Sequence, residues 1–173
     1  MAKTIRFQLS RSGINGAISE LKSYKQEIRR KTETFRKRFA QEVAKLAQAG
    51  FDASAVDYLV DGSTTPSVVN VDVTNGSGVS FVTASGEDAV WIEFGAGVYY
   101  NGAAGSSPNP WGGKLGFTIG SYGKGMGQKR VWGYYSEDGE LILTRGTPAT
   151  MPMYHALKSA CDNIYSIARE VFG

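Results

Sequence analysis

The sequence predicts an α+β fold in which a long N-terminal helix and a C-terminal helix pack on a small antiparallel sheet, with a long Gly-rich loop. Three observations predict it. Apolar residues recur at helical spacing near both ends of the chain, short alternating segments lie between them, and eleven glycines fall within residues 95–127. At 173 residues and 42% hydrophobic content, the chain fits a single domain, residues 1–173, with the loop 95–130 as an insertion.

The N-terminal part is predicted to be a short strand followed by a helix. Over Thr4–Ser10 apolar residues alternate with polar ones, which is the period of a half-buried strand. Ser12 or Asn15 is the expected N-cap of the helix. Gly50 is its expected end.

The helix is predicted to be long because its apolar positions recur over residues 14–49 mostly at steps of seven, which are in part split into threes and fours. Lys25 and Thr32 interrupt the stripe, so a helix lying across a sheet is favoured over a self-sufficient coiled coil. The stripe consists of Ile14, Ile18, Leu21, Ile28, Phe35, Phe39, Val43 and Leu46.

The middle of the chain predicts a β-hairpin. Residues 61–66 are expected to be a loop, and alternating segments at 69–73 and 79–83 are joined by the turn 75–78, Asn-Gly-Ser-Gly. Residues 88–94 fit a short helix or a strand, and their periodicity does not decide between the two.

The C-terminal part predicts a second hairpin and a closing helix. The strands are expected at 131–135 and 141–143, around the turn 136–140. Pro148 and Pro152 then set the entry to a helix that runs to about Val171. Its apolar set lies at steps of three and four: Met153, Ala156, Leu157, Ala160, Ile164, Ile167, Ala168 and Val171.

The Gly-rich segment 95–127 is longer than an ordinary connection between elements. Large rings within it argue against a plain flexible linker, which gains nothing from them. It also mixes cations with aromatics, as nucleic-acid surfaces and subunit interfaces both do, and contact between subunits is the favoured of these two interpretations. The residues concerned are Trp111, Lys114, Phe117, Tyr122 and Lys124 of this segment, with Lys129 and Arg130 just after it.

Charge is distributed unevenly along the chain, whose net charge is +3. The first helix is rich in lysine and arginine, whereas residues 50–96 contain neither and carry seven acidic residues. Such a molecule can stack head to tail with copies of itself or dock on an oppositely charged ring, although a solvated helix face is as good an explanation.

The sequence offers little for catalysis or metal binding. His155 and Cys161 are the single histidine and the single cysteine, and both lie in the predicted last helix, where packing is the more common role. Glu87 and Asp88 are adjacent acids of the kind usually found solvated in a turn. Residues 120–129 lack the spacing of a phosphate-binding loop. We therefore expect no catalytic residue, no metal site and no cofactor.

The N-terminus lacks an apolar run of signal-peptide length, and no stretch approaches the roughly 18 apolar residues that cross a bilayer. The sequence therefore predicts a protein of cytoplasmic origin without membrane contact.

Two short blocks carry a family resemblance. Trp91–Gly97 is an apolar turn with one carboxylate that ends in glycine, and Thr144–Met153 is a Pro-bounded entry into a helix, matched through Pro152, Met153 and Ala156. In this order they resemble the neck or tail-completion proteins of long-tailed bacteriophages, which have a long N-terminal helix, a small sheet, a Glu-Phe-Gly-Thr-like turn and a closing helix. Ala96 stands here where threonine is usual in that family.

The resemblance implies a structural virion protein rather than an enzyme. Copies are expected to form a ring, sixfold in that family, which joins the DNA-filled head to the tail between the head-closure and tail-terminator proteins, with DNA in the channel as a further partner. A tail terminator or another minor tail protein is a close alternative, and a small basic nucleic-acid-binding protein is the alternative of another class. The candidate contacts with other subunits or partners are Glu93, Phe94, Tyr99, Tyr100, Trp111, Lys114, Tyr122, Lys124, Lys129, Arg130 and Arg145.

Overall fold

The computed structural model describes residues 4–96, 107–116 and 131–173. These residues form an α+β fold, as the sequence predicts. The helices are α1 (Arg11–Asp52), α2 (Ala89–Phe94), α3 (Pro152–Asp162) and α4 (Ile164–Phe172). The strands are β1 (Ala55–Tyr58), β2 (Thr64–Pro66), β3 (Asn70–Asn75), β4 (Ser80–Ser85), β5 (Trp132–Tyr135) and β6 (Leu141–Thr144).

The long first helix is present and begins earlier than expected. Its N-cap is Ser10, whose Oγ accepts a 3.1 Å hydrogen bond from the backbone N–H of Gly13, rather than Ser12 or Asn15. It also continues through Gly50 to Asp52. The strand predicted at Thr4–Ser10 is wrong, since these residues pair with no strand in the part of the chain that the structure describes, and alternation alone cannot supply a partner.

The strands form three separate two-stranded antiparallel ladders instead of one sheet. The two predicted hairpins are β3–β4 and β5–β6. Part of the predicted loop 61–66 is strand β2, which pairs with β1. The end of β1 reaches the end of β6, because Tyr58 and Gly146 share one backbone hydrogen bond and Leu59 and Thr144 form an isolated bridge.

The core lies where the second half of α1 meets α3, α2 and the β3–β4 hairpin. One cluster joins Phe51, Val56, Val69, Ala89 and Ile92. A second joins Val43 and Ala47 of α1 with Ala156 and Ala160 of α3. Small side chains at this seam allow the two helices to approach closely.

The C-terminal helix is divided in two. Asn163 leaves helical geometry at φ −96° and ψ 7°, and its side-chain amide donates to the carbonyl of Ser159 at 3.2 Å. Asparagine competes for backbone groups in this way, and the apolar period does not reveal it. The expectation that His155 and Cys161 are packed is wrong, because both are exposed. No helix in the described residues is both long and apolar enough to span a bilayer.

Candidate functional site

The candidate site is built on α2, the short helix that carries Glu93. Its entry turn uses Gly86 at φ 137°, where a Cβ would collide with the carbonyl oxygen of Val68. The helix ends at Gly95, which has φ 85°. Spacing of three and four residues places Ala89, Ile92 and Glu93 on one buried side. The sequence therefore directs a carboxylate into the interior beside apolar residues.

Glu93 faces the N-terminus of α3. That helix begins with Met151 in the left-handed region at φ 54°, without a side-chain cap, and with Pro152 in the first turn. Glu93 supplies the missing acceptor. Its Oε2 accepts from the backbone N–H of Met153 at 2.8 Å, and its Oε1 accepts from that of Tyr154 at 3.1 Å. A carboxylate is favoured there, since the first N–H groups of a helix lack partners inside it.

Asn109, which lies within the Gly-rich segment, completes this arrangement. Its Nδ2 donates to Oε1 of Glu93 at 2.8 Å, and its side chain is almost fully buried. Its Oδ1 accepts from the backbone N–H of Trp111 at 2.9 Å, which closes a local turn. We call Glu93, Asn109, Met153 and Tyr154 the Glu93 junction.

Burial raises the pKa of the Glu93 carboxyl above its ordinary value of 4.5. Hydrogen bonds from Met153, Tyr154 and Asn109 act in the opposite direction and do not offset the loss of solvation. The junction thus contains a carboxyl group whose charge is costly to bury and which is held by three donors.

The two blocks of the family resemblance are joined directly at this junction. Ala96 and Thr147 exchange two backbone hydrogen bonds, at 2.8 and 3.1 Å. The backbone N–H of Thr150 donates to the carbonyl of Ile92 at 3.0 Å. Segments about fifty residues apart in sequence therefore form one structural unit.

Contacts beside the junction fix both ends of the chain segment between Ala96 and Ser107. On one side Ala96 is paired with Thr147. On the other, Ser107 Oγ donates to the carbonyl of Phe94 at 2.5 Å. These contacts beside the junction therefore hold two points of the Gly-rich segment near the end of α2, which is a positioning role.

Chemically, the carboxylate of Glu93 serves as a hydrogen-bond acceptor with three donors already in place. In the described ranges, no group of three or more histidine, cysteine, aspartate or glutamate residues is arranged to hold a metal ion. The geometry of the junction favours a structural task.

The structure brings only some of the predicted contact residues together. Glu93 and Phe94 lie in α2, and the ring of Trp111 meets that of Tyr154 edge-on, with centroids 5.8 Å apart. Lys114 is exposed in the short 3₁₀ turn Gly113–Leu115. Six further predicted contact residues of the loop 95–130 lie outside the described residues: Tyr99, Tyr100, Tyr122, Lys124, Lys129 and Arg130.

Arg145 is exposed and forms no ion pair with Glu93 within the described chain. The reason is that the oxygens of Glu93 face donors of the junction. A pairing of these two side chains inside one subunit is therefore not formed.

Sequence reasoning missed Asn109 and Gln48. Asn109 stands between two prolines, and the Asn-Pro turn chemistry is a signal for its local turn but not for its partner. Gln48 of α1 binds the start of β3 with both ends of its amide, donating to the Val69 carbonyl at 2.9 Å and accepting from the Val71 N–H at 2.8 Å. The apolar period of a helix carries no information on such a polar contact.

A separate groove of about 440 Å³ lies between α1 and α4. Its walls carry both signs of charge, and Arg38 meets Glu170 across it at 3.3 Å. None of the Glu93 junction lines this groove, and an exposed ion pair of this kind contributes little to stability.

A scan of protein-family models and comparisons with curated proteins and with solved structures found no match to this chain.

Proposed function

We propose that this chain is a structural virion protein of the phage neck or tail, a ring-forming tail-completion protein that joins the DNA-filled head to the tail. Its partners are further copies of itself, in a ring of six, together with the head-closure and tail-terminator proteins. It acts in the virion, is assembled in the host cytoplasm, and needs no catalysis, cofactor or membrane contact.

The apolar surface left on the first half of α1 carries this proposal. Ile14, Ile18, Leu21 and Ile28 are between 38% and 54% exposed. All the buried residues of α1 except Ala17 lie at or beyond Ala40. A row of aliphatic side chains outside the core is expected in a chain that contacts other subunits.

The resemblance in the two blocks indicates which assembly is concerned. Element order agrees with what that resemblance implies, from the long first helix to the closing helix entry. The contacts of Glu93 with Met153 and Tyr154 give both blocks one shared structural purpose. These observations support the neck or tail-completion role, with tail terminator and other minor tail proteins as close alternatives.

Nucleic-acid binding is the second candidate, and a specific observation favours it. Over residues 11–38, lysines and arginines outnumber aspartates and glutamates by nine to three. Part of this positive charge is paired within the helix, since Glu27 and Lys31 form an i,i+4 ion pair at 3.5 Å. Binding to duplex DNA that falls steeply with added salt would favour this candidate.

Immunogold electron microscopy of intact particles tests the proposal. An antibody against this chain should place gold at the junction between head and tail. Label at the distal tail, or no label on particles that join normally, would contradict it. Antibody access is controlled with particles that are partly disrupted by mild denaturant. In these particles too, gold should lie on the component from the junction between head and tail.

A further inference from the structure

We propose that neighbouring copies of this chain meet head to tail, with the first half of α1 of one copy lying on the outer face of the β5–β6 hairpin of the next. The inference rests on the proposed ring and deepens it, because it names the two surfaces that join. Both surfaces consist of described residues.

The first surface is the α1 stripe: Ile14, Ile18, Leu21 and Ile28. At 3.6 residues per turn these positions lie along one side of the helix. Contacts between α1 and the end of α4 begin at Phe35, whose ring centroid is 6.1 Å from that of Phe172, and include the ion pair of Arg38 with Glu170. The stripe therefore lies on the part of α1 that precedes these contacts.

The second surface is the hairpin shelf: Tyr135, Leu141 and Leu143. Their exposures are 73%, 56% and 47%. In the ladder, Tyr135 lies opposite Leu141, and Gly133 lies opposite Leu143, so all four positions share one face. A Cβ at Gly133 would lie 3.1 Å from the end of each leucine, which shows that the leucines lean over the glycine. The shelf is thus a continuous apolar surface.

The charges around the two surfaces are complementary. Lys25 lies within the α1 stripe, and Lys22 and Arg29 follow two of its apolar members directly. The hairpin contains Glu137, Asp138 and Glu140 at its turn, and residues 131–144 include no lysine or arginine. The basic groups within and beside the stripe therefore meet the acidic turn of the hairpin when the stripe lies on the shelf.

The same charges disfavour the symmetric alternatives. Two α1 stripes placed together would bring lysines and arginines against one another, and two shelves would bring acidic turns together. When the α1 stripe of one copy lies on the hairpin shelf of the next, the resulting pair still has one free stripe and one free shelf. Such a heterologous contact extends into a closed ring or a filament, as the proposed function requires.

Directed cross-linking tests this contact. In a Cys161→Ser background, one tagged chain carries Ile18→Cys and an untagged chain carries Leu143→Cys. Mixed and mildly oxidised, they should form a disulfide-linked dimer that contains one of each. Ser23→Cys is the matched control, since Ser23 is exposed on the side of α1 away from the stripe. Equal yields from Ile18→Cys and Ser23→Cys would overturn the proposal.

A charge exchange provides a second, independent test. Lys25→Glu with Arg29→Glu, or Glu137→Lys with Glu140→Lys, should each weaken self-association about tenfold in sedimentation at low salt. All four changes together should restore it, and helix content by circular dichroism should stay constant. A fourfold variant no better than either pair would contradict the contact.

These outcomes separate the inference from the proposed function. Rings that form normally in every variant would reject these two surfaces and leave the ring itself standing. The expected cross-link could form while heads and tails still join in a phage that lacks this protein. That combination would support the two surfaces and reject the neck role. Loss of DNA binding without any change in self-association, in Lys25→Glu with Arg29→Glu, would assign α1 to nucleic acid and overturn the contact.

Discussion

Glu93 Oε2 accepts a 2.8 Å hydrogen bond from the backbone N–H of Met153, sixty residues later in the chain. A side chain of α2 thereby caps α3, whose own N-cap residue, Met151, provides no side-chain hydrogen bond. Because α2 and α3 belong to the two blocks of the family resemblance, this contact explains why the blocks would occur together in one chain. It also makes the stability of the fold depend on Glu93.

Replacing Glu93 by alanine is expected to lower the free energy of unfolding by about 3 kcal/mol, because one buried and two part-buried donors lose their acceptor. Urea unfolding followed by circular dichroism measures this. Glu87→Ala is the matched control: Glu87 is exposed just before α2, and its loss should change stability by less than about 0.5 kcal/mol. Equal effects of the two substitutions would show that the junction contributes nothing specific.

The raised pKa of Glu93 predicts a pH dependence of stability with a definite sign. Below the ordinary value of 4.5, both the folded and the unfolded chain hold the proton. As pH rises from 4.5 through the raised folded-state pKa, the unfolded chain loses this proton while the folded chain still holds it, so the folded state loses stability over this pH range. The stability of the native chain minus that of Glu93→Gln should therefore fall as pH increases across this window.

Urea unfolding of both proteins at several pH values gives this difference, in which the other carboxyl groups cancel. A difference that grows with pH would contradict the expectation. It would mean that the hydrogen bonds from Met153, Tyr154 and Asn109 outweigh burial and hold the pKa below the ordinary value.

Two glycines of α1 should respond to alanine with opposite signs. A Cβ at Gly50 would lie 2.9 Å from the Cβ of Pro152, so Gly50→Ala should push α1 and α3 apart and cost about 1–3 kcal/mol. Gly16 has no neighbouring atom within 4 Å of an added Cβ, so Gly16→Ala should stabilise by up to about 1 kcal/mol through helix propensity. Thermal unfolding compares them. Stabilisation by both would mean that the α1–α3 seam can widen freely.

Reversing the charge of Arg145 should impair assembly and leave the fold intact. Arg145 is exposed beside β6, so Arg145→Glu is expected to change the unfolding free energy by less than about 0.5 kcal/mol. In a phage that lacks this gene, the variant should restore head–tail joining poorly. Arg169→Glu, an equal charge reversal on exposed α4, should restore it fully. Full restoration by Arg145→Glu would remove Arg145 from the assembly surface.

The elements that sequence predicts well are those whose period is long or repeated. The apolar steps of α1 and the alternation in β3–β4 and β5–β6 suffice to place them, since burial of one face selects one period. Thr4–Ser10 has the alternation of a strand, but a strand needs a hydrogen-bonded neighbour, which local sequence does not encode. Residues 64–66 show the converse, because they read as loop and become a strand by pairing with β1.

The Glu93 junction was predictable only in part. Glu93 could be singled out from its place in an apolar turn, but its partners are two backbone N–H groups and Asn109. Backbone donors are the same in every sequence, so only the fold reveals which carboxylate faces them. Arg145 does not pair with Glu93 within the subunit for the same reason, since the oxygens of Glu93 face these donors.

Under the proposed role, electron microscopy of lysates from a phage that carries this gene, after the gene is deleted, tests the central claim most directly. The account predicts full heads lying beside unattached tails of normal length, with joining restored when purified protein is added. Intact, infectious particles in the deletion lysate would contradict the head–tail joining role. Tails of abnormal length would contradict it in favour of a terminator.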